Sequence, residues 1–88
     1  MLKTPSRSID WNILVRQVIK DTSCTVKELG QATNLPPHKL SKVRTDATPL
    51  HATADQAVSL LMVFMANTSR DIPIVGDYYN ENDEPINQ

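Results

Sequence analysis

Two consecutive prolines, Pro36 and Pro37, place the strongest constraint on how this chain of 88 residues can fold. Because a proline ring fixes φ and removes a backbone donor, the pair can begin a helix but cannot continue one. Asn34, just before them, tolerates the left-handed conformation that commonly ends a helix. The sequence therefore predicts one short helix that ends at Asn34 and a second that runs from about Pro36 to Arg44.

Two capping boxes mark where other helices begin. In such a box a threonine hydroxyl and a Glu or Gln side chain each accept a hydrogen bond from a backbone N–H that the helix leaves free. Thr25-Val26-Lys27-Glu28 predicts the start of the short helix before the prolines. Thr53-Ala54-Asp55-Gln56 predicts the start of a later helix that ends at about Asn67.

The remaining helices are predicted from hydrophobic periodicity. Apolar residues recur with helical spacing from Trp11 to Ile19, and Ser8 or Asp10 can cap that first helix. A weak fifth helix is predicted over residues 71–79, with Pro73 in its first turn. Since no alternating strand pattern extends over more than a few residues, we expect an all-α fold of four to five short helices.

Length and composition indicate a single domain. One cysteine, Cys24, cannot form an internal disulfide, so the fold does not depend on an oxidising compartment. No apolar run reaches the roughly 18 residues that a membrane span needs, and residues 1–10 lack the apolar segment of an export signal. We therefore expect a cytoplasmic protein that has no contact with a membrane.

The charges are distributed unevenly along the chain. Residues 1–76 carry nine Lys and Arg against six Asp and Glu, whereas the segment after them carries four acidic residues and no cation. A mildly basic body permits contact with a polyanion, and a polar acidic end is typical of a disordered segment. We expect an N-terminal arm over residues 1–8, a folded domain over 9–79 and a disordered acidic tail over 80–88.

The helix after the prolines is expected to turn a polar edge outward. Leu35, Leu40 and Val43 are spaced to pack it onto the first two helices, and Gly30 allows two helices to cross closely. Its outer side chains and the free N–H groups at its start suit the major groove of double-stranded DNA. The residues that we assign to DNA binding are Lys27, Pro37, His38, Lys39, Ser41, Lys42, Arg44 and Thr45.

Within that set we expect three roles. His38 and Lys42 can reach acceptors on guanine and so read bases. Ser41 and Thr45 can contact either bases or phosphates. The three remaining cations are placed for the phosphate backbone, where they add salt-dependent affinity but little sequence selectivity.

The helix that is predicted to end at Asn67 is apolar nearly all round in its second half, so it must be covered on more than one side. The side chains assigned to its core stripe are Ala54, Ala57, Val58, Leu61, Met62 and Met65. In so small a domain, a second copy of the chain can cover the side that remains. The oligomer interface is therefore predicted at Leu60, Val63, Phe64, Tyr78 and Tyr79.

Two stretches resemble known regulators. The first stretch resembles the helix-turn-helix of phage repressors and Cro-like regulators. It consists of Val26-Lys27-Glu28-Leu29-Gly30-Gln31-Ala32-Thr33-Asn34-Leu35, followed by Leu40-Ser41-Lys42. The second stretch resembles the CII-type regulators of temperate phages. It consists of His51-Ala52-Thr53-Ala54-Asp55-Gln56-Ala57-Val58-Ser59-Leu60-Leu61, with Ala66-Asn67-Thr68 after it. Together these resemblances imply a lambda-repressor-like fold. They also imply a sequence-specific transcriptional regulator in a lysis–lysogeny circuit, acting as a homodimer or homotetramer.

Two other functions stay open. The low net charge, the two prolines and the acidic tail favour a protein-interaction module, an antirepressor or adaptor that keeps this fold but binds another phage or host regulatory protein. An accessory structural subunit of a phage or toxin–antitoxin system is the third candidate. Because the sequence has no Gly-rich phosphate loop, no nucleophile spaced with a base and no metal-ligand spacing, we expect neither enzymatic activity nor a cofactor.

Overall fold

The computed structural model of the protein describes residues 8–46 and 48–86. These ranges contain four α-helices: α1 (Trp11–Thr22), α2 (Val26–Thr33), α3 (Pro37–Asp46) and α4 (Ala54–Asn67). The β-structure in the described ranges is limited to two isolated bridges, Ile9–Ile74 and Tyr79–Pro85. The expectation of an all-α fold is confirmed. Apart from Ser8, the predicted N-terminal arm lies outside the described residues.

The helices begin where local capping chemistry predicts. The carboxylate of Asp10 caps α1. At the start of α2, the N–H of Glu28 donates to Thr25 Oγ1 at 3.1 Å, and the N–H of Thr25 donates to Glu28 Oε1 at 3.1 Å. Thr53 and Gln56 form the same reciprocal pair at the start of α4. Both predicted capping boxes are therefore confirmed.

All four helices contribute to one core. Helices α1 and α2 each pack against both α3 and α4. The apolar side chains buried between them are Leu14, Val15, Val18, Leu29, Leu35, Leu40, Val43, Leu60 and Phe64. This arrangement leaves one side of α3 and one side of α4 facing solvent.

Helix α4 buries a different side from the one predicted. Leu60 and Phe64 are fully buried, whereas Val58, Met62 and Met65 are 53%, 64% and 63% exposed. Because this helix is apolar on both sides, periodicity alone could not decide which stripe faces the core. The packing of α4 against α1 and α2 selects Leu60 and Phe64 instead.

The predicted oligomer interface needs correction for the same reason. Its assignment to Leu60 and Phe64 is wrong, because those side chains form the monomer's own core. Val63 is half-buried and packs against that core. Tyr78 is exposed, and Tyr79 is half-buried at the bridge to the last described residues. Of the five, only Tyr78 is well exposed to a partner.

The predicted fifth helix does not form. Residues 71–79 are extended or turned, with Pro73 buried and Gly76 at a φ of 96°. The carbonyl of Pro73 accepts a hydrogen bond from the N–H of Asp10 at 2.8 Å, so this segment pairs with the residues before α1. Pro73 and Gly76 both disfavour a continuous helix, and that effect outweighs the weak apolar spacing.

The acidic tail is ordered over residues 80–86, contrary to expectation. Asp83 is only 2% exposed, and its carboxylate forms ion pairs with Arg16 at 3.1 Å and Lys20 at 3.0 Å. Composition indicated disorder because it counts charges without their partners. Here two cations of α1 pair with Asp83 and hold the segment on the helix.

Further hydrogen bonds complete this attachment. The Asp83 carbonyl accepts from Gln17 Nε2 at 2.7 Å and from Arg70 Nη1 at 2.6 Å. Arg70 also makes a forked pair with the Asp21 carboxylate, at 2.9 and 2.8 Å. That hydrogen bond holds the pKa of Asp21 below its ordinary value, although burial opposes the shift. We call these residues the C-terminal clamp: Arg16, Gln17, Lys20, Asp21, Arg70 and Asp83.

Candidate nucleic-acid interface

The connection between α2 and α3 takes only three residues, 34–36. Asn34 ends α2 in the left-handed conformation, with φ 60° and ψ 33°, as its residue type predicts. The next residue, Leu35, is buried, and its N–H donates to the Gly30 carbonyl at 3.1 Å. A capped end followed by an apolar anchor fixes the angle at which α3 leaves α2.

Gly30 is required by this connection. A Cβ atom at that position would stand 2.6 Å from the Leu35 carbonyl oxygen and 3.3 Å from Pro37 Cγ. The expectation of a close approach at Gly30 is correct, but the nearest group is the backbone of the turn, not a side chain of a crossing helix. Any larger residue would push the turn, and α3 with it, away from α2.

Two amide side chains hold α3 in place from outside the α2–α3 pair. Asn12 Nδ2 donates to the carbonyls of Val43 and Arg44 at 2.7 and 2.8 Å. These bonds give a partner to two of the backbone acceptors that the last turn of α3 leaves free. Gln56 Nε2 donates to the Asn34 carbonyl at 2.7 Å and ties α4 to the turn. Sequence reasoning assigned neither contact, because each bridges segments that are far apart along the chain.

The outer side of α3 presents polar side chains to solvent. His38, Lys42 and Thr45, spaced along one side of the helix, are exposed, and so are Pro37 and Lys39. His38, Lys42 and Thr45 thus share one solvent-facing side of α3, and Pro37 and Lys39 flank it on either side. We call this surface the α3 face.

The other assigned residues border the α3 face. Lys27 of α2 is exposed and lines a surface groove together with Pro37. Ser41 and Arg44 are half-buried. The Thr45 hydroxyl donates to the Ser41 carbonyl at 2.8 Å, which leaves its oxygen lone pairs as the group that can meet a ligand.

The start of α3 offers fewer backbone donors than expected. Pro36 and Pro37 have no N–H, and the N–H groups of Lys39 and Leu40 donate to the Pro36 carbonyl at 3.0 and 3.3 Å. In this described first turn, only the N–H of His38 is left for an anion. Attraction of phosphate to the α3 face must therefore come mainly from side chains.

The Lys and Arg side chains of the described ranges fall into two sets, those that form an ion pair with a carboxylate and those that do not. The ion pairs in the described ranges all belong to the C-terminal clamp. Four cationic side chains in those ranges have no carboxylate within 4.0 Å: Lys27, Lys39, Lys42 and Arg44. Helices α2 and α3 thus carry these four cations against the two carboxylates Glu28 and Asp46, so a net positive charge remains available to a polyanion.

The loop before α4 brings His51 close to α3. Lys39 Nζ donates to the His51 carbonyl at 3.4 Å. Both residues, with Lys42, line a surface cavity of about 320 Å³ between α3 and residues 48–51. Nothing in the sequence indicates this proximity, because the loop conformation brings His51 to α3.

Comparison with protein-family models, curated proteins and solved structures finds no match in any of the three. Among the described residues, no group of three or more His, Cys, Asp or Glu side chains lies close enough to share a metal ion. No helix in those ranges is long and apolar enough to cross a bilayer. What the chain does is therefore inferred from the geometry and charges around α3.

Proposed function

We propose that this protein binds double-stranded DNA through the α3 face, with α2 and α3 acting as a helix-turn-helix. The observation that carries this proposal is the concentration of unpaired cations on and beside α3, while the acidic residues Asp21 and Asp83 are held in the C-terminal clamp. A helix that protrudes with a polar, cationic edge has the shape and charge to enter a major groove about 12 Å wide.

The side chains on and beside the α3 face suit different parts of the duplex. His38 and Lys42 can donate to guanine O6 and N7 and so select a sequence. Lys27, Lys39 and Arg44 suit phosphates. Because three phosphate contacts per copy would each contribute a slope of about −0.9 to log K against log salt, binding by one copy should weaken strongly as salt rises.

The regulatory role rests on the resemblance of the α2–α3 sequence to phage repressors and Cro-like regulators. On that basis we propose a sequence-specific transcriptional regulator of a temperate phage or prophage, which acts in the cytoplasm on lysis–lysogeny control. It works as a homo-oligomer, since two α3 helices about one DNA turn apart, roughly 34 Å, would read two half-sites.

A second function is favoured by one observation on α4. Met62 and Met65 are more than 60% exposed on a helix that does not belong to the α3 face. Exposed apolar side chains in a row are typical of a surface that binds protein. An antirepressor or adaptor that keeps this fold would use α4 and would leave the α3 face unoccupied.

The test is a binding titration of the whole chain against duplexes from upstream of its own coding sequence, at low and moderate salt. Lys42→Ala and Lys39→Ala form a matched pair, since each removes one charge from α3. We expect Lys42→Ala to weaken the preferred duplex by about 1–3 kcal/mol and to reduce discrimination between duplexes. Lys39→Ala should weaken all duplexes evenly and reduce the salt slope by about 1.

Two outcomes would count against the proposal. Absence of binding to any duplex at micromolar protein would favour the adaptor. Equal, sequence-independent losses for both variants would remove the base-reading role of Lys42 and leave a general polyanion-binding surface.

A further inference from the structure

Helix α4 carries an apolar stripe on its outer side, at the edge of which Leu61 is half-buried and packs against the core. Its members are Val58, Leu61, Met62 and Met65. Leu60 and Phe64, which are fully buried, lie on the opposite side of the helix. In a helix, positions spaced by three, four and seven residues fall on one side, so the four side chains form a continuous strip. We call it the α4 stripe.

The stripe has no electrostatic feature that would select a charged partner. From Gln56 to Ser69 the sequence has no charged residue, and the nearest charges along the chain are Asp55 and Arg70. Arg70 is held in the C-terminal clamp by Asp21. A second copy of the chain can therefore approach this surface without like charges meeting at its centre.

The spacing of the stripe's positions is the same in both directions. Its positions are symmetric about the midpoint between Leu61 and Met62. Two antiparallel α4 helices would therefore set Val58 of one copy against Met65 of the other, and Leu61 against Met62. This is the self-complementary contact that a twofold axis requires, and antiparallel helices also oppose their dipoles favourably.

We infer that the α4 stripe is the surface on which two copies of this chain associate around a twofold axis. This inference deepens the homo-oligomeric part of the proposed function. It replaces the interface predicted from the sequence, because Leu60 and Phe64 are inside the monomer. The partner surface lies on a different helix from the α3 face, so association leaves α3 free.

The area of the stripe sets the strength of the dimer. Three side chains more than half exposed, with half-buried Leu61, are far fewer than the roughly 20–30 residues that each side of a standard interface contributes. A standard interface needs about 800 Å² per partner. The dimer is therefore weak on its own, it forms as the concentration rises through the micromolar range, and binding to two DNA half-sites strengthens it.

The experiment measures the molar mass of the full chain by sedimentation over a range of concentrations, without DNA. Wild type is expected to change from monomer to dimer. Met62→Lys should weaken association at least about tenfold, because each copy places a lysine beside the same lysine of its partner. Val75→Lys is the matched control: Val75 is also half exposed but lies outside the stripe, and this variant should associate like wild type.

A mixture separates specific pairing from general stickiness. Met62→Lys and Met62→Glu should each be monomeric, and an equimolar mixture should associate because opposite charges then meet across the axis. Circular dichroism checks that both variants are folded. A wild type that stays monomeric into the high-micromolar range overturns the inference, and so does a Val75→Lys variant that dissociates as readily as Met62→Lys.

DNA binding is measured separately on a duplex that carries a single half-site. Met62→Lys should bind it as wild type does, because one copy suffices and the α3 face is intact. Loss of self-association with half-site binding retained supports the α4 stripe. Normal self-association without any DNA binding would instead contradict the proposed function alone.

Discussion

Helices α3 and α4 pack on the same core but present opposite kinds of surface to solvent. Outside α3, His38 and Lys42 are exposed polar groups, and the neighbouring cations have no carboxylate partner in the described ranges. Outside α4, Met62 and Met65 are exposed on a stretch without charge. The first surface attracts a polyanion, and the second gains free energy when an apolar partner covers it.

Because the two surfaces differ in chemistry and lie on different helices, they can be tested independently. Substitutions on the α3 face should change DNA binding and leave folding almost unaffected, because the altered side chains make few contacts. Substitutions on the outer side of α4 should change association. Substitutions on its inner side should change the free energy of unfolding, and that contrast gives the largest expected effect.

The sharpest contrast lies between the two sides of α4. Phe64→Ala should lower the free energy of unfolding by about 3–5 kcal/mol, because it leaves a cavity in the core. Met65→Ala, one residue along the same helix, should change it by less than about 0.5 kcal/mol in the monomer. Urea denaturation at low protein concentration measures both. Comparable losses for the two variants would mean that the described side of α4 is not the buried one.

The turn that orients α3 gives the next effect. Gly30→Ala should destabilise the fold by about 1–3 kcal/mol, because its Cβ would overlap the Leu35 carbonyl. It should also weaken DNA binding by moving α3. Gln31→Ala, at an exposed position of the same helix, is the control and should unfold like wild type. An unchanged denaturation midpoint for Gly30→Ala would contradict the close approach at the turn.

The C-terminal clamp should contribute less, because both of its α1 cations are about two-fifths exposed and therefore screened. Asp83→Asn removes the charge that pairs with Arg16 and Lys20, and should cost about 1–2 kcal/mol, because each of the two screened pairs contributes up to about 1 kcal/mol. Glu84→Gln, an exposed acidic neighbour, should have almost no effect. If protease cleaves residues 80–86 equally fast in wild type and Asp83→Asn, the clamp does not hold this segment.

The smallest effect depends on pH. Because the folded protein lowers the pKa of Asp21 below 3.8, the ionised carboxylate stabilises the fold above that value, and this contribution disappears as the pH falls through the lowered pKa. The difference in urea midpoint between wild type and Asp21→Asn should therefore shrink as the pH falls below about 4. A difference that stays constant across this range would show that the Asp21–Arg70 pair does not depend on ionisation.

Helix ends could be predicted from the sequence because they are determined locally. Thr25 and Glu28 lie within one turn of each other, and their reciprocal hydrogen bonds need no tertiary contact. Asn34 adopts the expected left-handed conformation for the same reason. The outward orientation of α3 was also predictable, since its polar and apolar positions differ clearly.

Features that depend on distant contacts were not predictable. The buried side of α4 could not be selected because both sides are apolar, and packing against α1 and α2 made the choice. The ordered acidic segment depends on Asp83, whose partners are Arg16 and Lys20 more than sixty positions earlier. At the candidate interface, Asn12 and His51 were missed because the fold alone brings them to α3.

The most direct test of the central claim follows backbone amide chemical shifts of the full chain as a duplex is added. The largest shifts are expected on His38, Ser41, Lys42 and Thr45, while the α4 stripe should respond only where copies associate. Largest shifts on residues of the C-terminal clamp, or none on α3 at saturating duplex, would contradict a DNA-binding role for the α3 face.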